Sequence, residues 1–176
     1  MMGGDIGDAM TDHPQPSPSV GRQVVAGFVF LLAALAAGAV GAAIQGGDVS
    51  GRYLALERPG WAPPAWLFGL VWPVLYVLIG LAAWWLWRGA GRVAAIRTAL
   101  TLWAVQLVVN AAWPGVFFGL EEFWLAAGVI GALDVLVVAT IAAFWRHDRI
   151  AAVLLVPYLA WIVFATGLNV AVAALN

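Results

Sequence analysis

Segment 98–120 contains no charged residue and carries its polar and aromatic side chains at helical spacing. These side chains are Trp103, Gln106, Asn110, Trp113 and Phe117. Because successive helical residues are rotated by about 100°, intervals of three and four residues place them on one face. An amide in so apolar a helix is disfavoured against lipid, so it either hydrogen-bonds to another helix or contacts a ligand. Both interpretations stay open for Gln106 and Asn110.

Two other apolar segments carry aromatic residues at the same spacing. Trp72 and Tyr76 are four residues apart, and Tyr158, Trp161 and Ala165 follow one another at intervals of three and four. Rings that face inward form flat apolar walls with N–H and O–H donors at their edges, which suits a planar aromatic ligand. Ordinary core packing by the same rings is the alternative.

Asp134 is the only charged residue of segment 123–145 and lies at its middle. A carboxylate in mid-membrane is costly unless it is paired, which makes Asp134 a candidate functional acid. The alternative is a protonated Asp134 that hydrogen-bonds to another helix. A proton relay would need further acids or His in the apolar segments, and the sequence has none, so ion coupling is not expected.

Metal-binding and nucleophilic motifs are missing from the sequence. There is no Cys, the two His residues are His13 and His147, and no carboxylates recur at ligand spacing. No phosphate-binding Gly-rich loop follows a strand. We therefore expect no metal site, no obligatory cofactor and no conventional catalytic residue.

The composition indicates a membrane protein. Of 176 residues, 64% are hydrophobic and only 10% are charged, whereas soluble domains carry roughly 25% charged residues. A single small core cannot hide so much apolar surface from water. The net charge of −1 supplies no basic field for nucleic acid. Soluble enzymes and nucleic-acid binders are poor fits, and the expected partner is the lipid bilayer.

Five apolar segments are long enough to cross a bilayer, which takes about 20 helical residues. They are about 24–44, 61–87, 98–120, 123–145 and 150–176. Because these runs are continuous and do not alternate, they predict helices and not barrel strands. We predict an all-α integral membrane bundle of five transmembrane helices over residues 23–176. Residues 1–22, rich in Asp, Pro, Gly and Ser, are predicted to form a disordered tail.

The longest connection, residues 45–60, leads into a run rich in Pro and Trp and has a length typical of lids. Trp61, at the end of this connection, fits either an anchor at the lipid headgroups or the wall of a ligand pocket.

Arg residues predict the orientation in the membrane. The N-terminal side carries Arg22, Arg88, Arg92, Arg97, Arg146 and Arg149, whereas the other side carries Arg52 and Arg58. Since positive residues concentrate on the cytoplasmic side, the N-terminus is predicted to be cytoplasmic.

Small residues recur every four positions on the opposite face of segment 98–120. They are Ala111, Gly115 and Gly119. Such spacing permits close approach of another helix. These residues either pack inside the monomer or form a dimer interface, and the dimer interface is the more specific hypothesis.

Three blocks of this sequence resemble the TspO/translocator protein family, the tryptophan-rich sensory proteins related to the peripheral benzodiazepine receptor. The blocks are LERPGWAPPAWLFGLVW at 56–72, QLVVNAAWPGVFFG at 106–119 and PYLAWIVFATGLN at 157–169. They match the family's segments entering its second helix, within its third and within its fifth. Arg58 stands where the family usually has Lys, and the sterol-recognition pattern of the animal members has no basic residue here after Tyr158.

The resemblance implies a five-helix bundle, often a homodimer, that binds porphyrins and other hydrophobic ligands under its first loop. The ligand-binding positions it implies are Tyr53, Trp61, Trp72, Gln106, Asn110, Trp113, Trp161 and Ala165. Some bacterial relatives are reported to degrade protoporphyrin under light, for which Trp72 and Trp161 would be the candidates.

These features together predict a membrane receptor or sensor for tetrapyrroles, with a role in stress signalling and a place in a bacterial cell membrane. A transporter of tetrapyrroles or other small hydrophobic molecules is the alternative. Internal repeats, common in transporters, are not visible in the sequence.

Overall fold

The structure, a computed structural model, describes residues 19–90 and 93–176. Over these residues it is all helical, and it contains five helical stretches that are long and apolar enough to span a membrane. The predicted fold class is therefore confirmed. The tail predicted to be disordered lies outside the described residues up to position 18, and the first helix already begins at Val20.

Seven α-helices lie within the described part of the chain. They are α1 (Val20–Ile44), α2 (Val49–Ala55), α3 (Ala65–Gly89), α4 (Arg97–Pro114), α5 (Phe123–Trp145), α6 (Arg149–Val153) and α7 (Val156–Leu175). A 3₁₀ turn at Val93–Ile96 precedes α4, and a π-helical turn at Gly115–Gly119 follows it. The five spans are α1, α3, α4 with its two flanking turns, α5, and α6 together with α7.

Prolines account for the irregular ends of these helices. Helix α3 begins at Ala65, four residues later than predicted, because Pro63 and Pro64 favour extended backbone before them, and Pro64 itself is extended. Pro114 ends the regular part of α4, and the chain continues as a π turn. The fifth span is interrupted before Pro157, which lies in the first turn of α7 and has no N–H to donate.

The core lies among α3, α4, α5 and α7. Its largest fully buried side chains include Ile79, Leu86, Phe144, Tyr158 and Ile162. Helix α1, in contrast, buries only Ala34 and Gly41. It is therefore a peripheral helix whose other faces are turned to the surroundings of the bundle.

The small residues at the end of α4 pack against α1 of the same chain. A Cβ added at Gly115 would lie 3.1 Å from Cδ1 of Ile44, and one at Gly119 would lie 3.2 Å from the Ile44 carbonyl oxygen. Close by, a Cβ at Gly41 would lie 3.4 Å from the carbonyl oxygen of Ala111. These contacts favour the interpretation in which Ala111, Gly115 and Gly119 pack inside the monomer. The dimer interface and the homodimer stay predictions, and Gly119 is exposed.

Candidate ligand-binding cavity

A cavity of about 590 Å³ lies at the end of the bundle where α2 covers it, between α1, α3, α4 and α7. That volume lies in the range of roughly 300–1,000 Å³ that is usual for small-molecule sites. Five of the eight predicted binding residues line it: Tyr53, Trp72, Asn110, Trp113 and Ala165. The remaining three, Trp61, Gln106 and Trp161, are not among its lining residues.

Aromatic rings form two of the cavity walls. The ring of Trp72 stacks on Tyr76 at a centroid distance of 5.7 Å and an interplanar angle of 28°. On α4, Trp113 lies 5.2 Å from Phe117 at 32°. In each pair the two residues are four positions, or about one helical turn, apart. The helical periodicity that predicts a shared face therefore also brings their rings together. The walls are therefore apolar and locally flat.

Asn110 is the centre of a hydrogen-bonded network at the inner end of the cavity. The Tyr76 hydroxyl donates to Asn110 Oδ1 at 2.5 Å, and Asn110 Nδ2 donates to the Tyr158 hydroxyl at 2.9 Å. Tyr158 in turn donates to Gln106 Oε1 at 2.9 Å. All four side chains are buried. The two amides thus bond across helices, while Asn110 also borders the cavity.

A second polar contact holds the opposite side of the cavity. Trp113 Nε1 donates to Asn169 Oδ1 at 3.0 Å, and Asn169 Nδ2 donates to the carbonyl oxygen of Phe123 at 2.9 Å. These bonds tie α4, α5 and α7 together and fix the plane of the indole.

The short helix α2 is a lid held down by Arg52. Its guanidinium donates to the carbonyl oxygens of Phe118, at the end of the π turn, and of Gln45, at 2.6 Å for the latter. Carbonyl groups near the C-terminal end of a helix lack partners within the helix. A cation there accepts this role by donating hydrogen bonds to them, and it also interacts favourably with the negative end of the helix dipole. Arg52 therefore fastens the lid to the ends of both α1 and the α4 span.

Tyr53 forms the inner surface of the lid. Its hydroxyl donates to the carbonyl oxygen of Pro63 at 2.9 Å, and the guanidinium of Arg58 lies 4.7 Å from the centre of its ring. Burial raises the pKa of the Tyr53 hydroxyl above its ordinary value, and the hydrogen bond and charge of Arg58 offset part of that rise. The hydroxyl therefore stays protonated at neutral pH and keeps its bond to Pro63.

The sequence matches a known protein family over most of its length. A family model described as the TspO/MBR family matches residues 29–175. The chain belongs to the TspO/MBR family. Together with the five apolar helices, this membership makes it an integral membrane protein.

Relatives from bacteria, archaea and animals are similar over most of their length. Protein CrtK of Rhodobacter capsulatus is 38% identical over 84% of this chain and 91% of its own. The tryptophan-rich protein TspO of Archaeoglobus fulgidus is 39% identical over 83% and 94%, respectively. The human translocator protein is 35% identical over 74% and 78%.

In this TspO/MBR chain, Trp161 and Trp61 lie outside the cavity wall. The ring of Trp161 packs 5.8 Å from Phe68, which does line the cavity, and 5.5 Å from Phe164. Trp61 lies 5.7 Å from Phe164 and is 54% exposed. Of these aromatic residues, only Phe68 contributes to the cavity wall.

Gln106 lies one helical turn deeper than Asn110 and is linked to it through the hydroxyl of Tyr158.

Several residues that line the cavity were not among the predicted binding residues; they include Phe68, Tyr76, Leu168 and Asn169. Spacing gives a usable signal for two of them, since Tyr76 follows Trp72 by four residues and Asn169 follows Ala165 by four.

Asp134 connects α5 to α7 and does not line the cavity. Its Oδ2 accepts a hydrogen bond of 2.8 Å from the hydroxyl of Thr166, which also lies 2.9 Å from the carbonyl oxygen of Ile162. This matches the interpretation in which the acid bonds to another helix.

No group of three or more His, Cys, Asp or Glu side chains within residues 19–90 and 93–176 is arranged to hold a metal ion.

Replacing Arg52 by Ala is expected to loosen the lid. Two charge-assisted hydrogen bonds are lost, so amide hydrogen exchange over residues 49–62 is expected to accelerate by about ten- to a hundredfold. Arg52 donates its hydrogen bonds to Phe118 and Gln45 and not to α5, so amide exchange in α5 serves as the internal reference. Arg52→Lys keeps the charge but cannot bond two carbonyls in the same way, so an intermediate rate is expected. Equal exchange in all three proteins would contradict the role of Arg52.

Proposed function

We propose that this TspO/MBR chain is a membrane receptor or sensor that binds porphyrins and other flat hydrophobic molecules in the cavity beneath α2. The observation that carries the proposal is the stacked pair of Trp72 and Tyr76 facing an apolar space that ends in the amide of Asn110. A flat apolar ring fits such walls, and a polar ring atom would meet the remaining hydrogen-bonding capacity of the amide.

The charges at the lid support a tetrapyrrole over a wholly apolar ligand. Porphyrins carry ionised carboxylates on one edge of an otherwise apolar ring. The lid carries Arg52, and Arg58 follows it in the chain with its Nε buried and without a hydrogen-bond partner among the described residues. A carboxylate at the lid end would meet these cations while the ring lies against Trp72.

Packing beyond the network favours binding over transport. Past Asn110 and Tyr158, the bundle is filled by buried side chains such as Ile79, Leu86 and Phe144. Among the residues that the structure describes, the cavity therefore has no continuation toward the other side of the membrane, which argues against the transporter alternative. With the N-terminus in the cytoplasm of a bacterial cell, as the Arg distribution predicts, the lid faces away from the cytoplasm.

Titration of the purified protein with protoporphyrin IX in the dark tests the proposal. We expect saturable quenching of Trp emission, with binding weakened about tenfold in Trp72→Phe because an indole of the wall is replaced. Trp161→Phe is the matched control, since that indole is not among the residues that line the cavity, and it is expected to bind nearly as well as the natural chain. Quenching that does not saturate, or equal weakening in both variants, would contradict the proposal.

The same samples under illumination test light-dependent degradation. Loss of the porphyrin Soret band that stops in Trp72→Phe would assign this chemistry to the bound ligand, whereas equal loss in both variants would be ordinary photobleaching. Flux of porphyrin into vesicles that contain the protein, above that of empty vesicles, would favour the transporter alternative.

A further inference from the structure

The lining residues of the cavity differ in their exposure from one helix to another. Those contributed by α4 and α7 are all buried or half-buried. The exposed ones lie on α1 and α3, apart from Ser50 in the lid. They are Leu35, Ala39 and Ala42 on α1, and Trp66, Gly69 and Pro73 on α3. The cavity is therefore open along the seam between these two spans, a side that faces lipid in a bilayer.

The two helices are in tight contact only along part of this seam. A Cβ added at Gly80 would lie 2.8 Å from Cα of Leu31, and one at Gly38 would overlap the ring of Tyr76. Nearer the lid the contact ends, because a Cβ added at Gly69 would meet no atom within 4 Å. The space between α1 and α3 thus widens toward the lid.

The reason for the widening is that α1 crosses from α3 to α4. Past Gly38 its close neighbours are on the α4 span, with Gly41 against Ala111 and Ile44 against Gly115. Small residues at these positions let the two backbones approach. Since α1 cannot follow both α3 and α4, its approach to α4 leaves α3 uncovered at Gly69.

The lid side of the cavity, in contrast, is fastened. Arg52 bonds the lid to Gln45 and Phe118, and Tyr53 bonds to Pro63. Within residues 19–90 and 93–176, no such bond joins α1 to α3 along the uncovered part of the seam. Its rim is formed by Trp66, which is 67% exposed although it also lines the cavity.

We propose that the gap between α1 and α3, bordered by Trp66 and Gly69, is a lateral portal through which the cavity takes up apolar molecules dissolved in the bilayer. This rests on the proposed function in treating the cavity as the binding site, and it names the ligand class as molecules that partition into lipid. Such a route crosses only apolar surface, whereas the route from water requires the bonds of Arg52 to break. Indoles at the depth of the headgroups are favourable contacts for molecules with one polar edge.

A single thiol in the cavity tests the route without any porphyrin. The chain has no Cys, so Ala165→Cys places one thiol in the wall formed by α7. Reconstituted vesicles are treated either with N-(1-pyrenyl)maleimide, which dissolves in lipid, or with a disulfonated maleimide, which stays in water. Labelling is followed by mass spectrometry. We expect the lipid-soluble reagent to label the thiol and the water-confined reagent to label it at least ten times more slowly.

Blocking the gap provides the decisive comparison. In the Ala165→Cys background, Gly69→Trp places an indole at the gap, on a Cβ that meets no atom within 4 Å, and we expect at least a tenfold slower reaction with the lipid-soluble reagent. Gly128→Trp is the matched control, because Gly128 on α5 also has no atom within 4 Å of an added Cβ and lies away from the seam. Gly69→Leu, a smaller change, is expected to give an intermediate rate. Arg52→Ala should accelerate only the water-confined reagent.

Equal rates in the Gly69→Trp and Gly128→Trp proteins would overturn the portal, as would faster labelling from water than from lipid. Because no porphyrin is present, these outcomes are independent of the titration described above. A protein that binds porphyrin but shows no effect of Gly69→Trp refutes the portal alone. Normal portal behaviour without saturable quenching refutes the porphyrin proposal alone.

Discussion

Replacing Asn110 by Leu is expected to lower the thermal stability of the protein and to weaken ligand binding together. The substitution removes the acceptor of the Tyr76 hydroxyl and the donor to Tyr158, both of them buried. Hydrogen bonds between membrane helices contribute roughly 0.6–1.7 kcal/mol each, so about 1–3 kcal/mol is lost. For a chain of this size, that corresponds to a fall of about 3–10 °C in the unfolding midpoint. Trp emission during heating in detergent measures it.

A double variant separates the stranded hydroxyl from lost packing. In Tyr76→Phe, Asn110→Leu, the buried hydroxyl that lost its acceptor is gone, while Tyr158 still donates to Gln106, so part of the stability should return. Porphyrin binding should not return, because the amide that borders the cavity is still missing. A double variant less stable than Asn110→Leu alone would show that the network does not act as derived from its hydrogen bonds.

Replacing Ala165 by Phe is expected to produce the largest loss of binding. Ala165 lines the cavity and is only 5% exposed, so an added phenyl ring occupies space that a ligand needs. A bulky group forced against a ligand costs about 1–3 kcal/mol, which weakens binding about ten- to a hundredfold. The unfolding midpoint should stay the same or rise, since the ring fills an existing cavity. Porphyrin titration and heating of the same sample measure both quantities.

Gly167→Phe is the matched control on the same helix. No atom lies within 4 Å of a Cβ at Gly167, and this residue is exposed and outside the cavity wall. It should bind porphyrin as the natural chain does. If the two variants bind equally well, the cavity is not the site, even where porphyrin quenches the protein.

The transmembrane spans were readable from the sequence because hydropathy is a property of each segment alone. A run of about 20 apolar residues can cross the bilayer whichever helices it packs against. The structure has a helix of sufficient length at all five predicted runs. Their ends were less certain, since Pro63 and Pro64 lie inside a run that is apolar by composition but extended by backbone preference.

The face of each helix that points inward was also readable, because helical periodicity sets it. Trp72, Asn110, Trp113 and Ala165 come from three different helices, and all four line one cavity. Periodicity gives direction but not distance along the neighbouring helices. It could not show that Phe68 lines the cavity while Trp161 does not, nor that Asn110 borders the cavity while Gln106 does not.

The position of α1 depended on contacts between segments distant in the chain. Ala111, Gly115 and Gly119 have the same spacing whether they meet a second copy or the chain's own first helix, and spacing alone cannot distinguish the two. In the folded protein they meet α1, which leans onto α4 and leaves α3 open at Gly69. Hydropathy and helical periodicity are local properties, so they can be read from one segment of the sequence. The crossing of two helices depends on how the side chains of both surfaces fit together, so only the packed structure shows it.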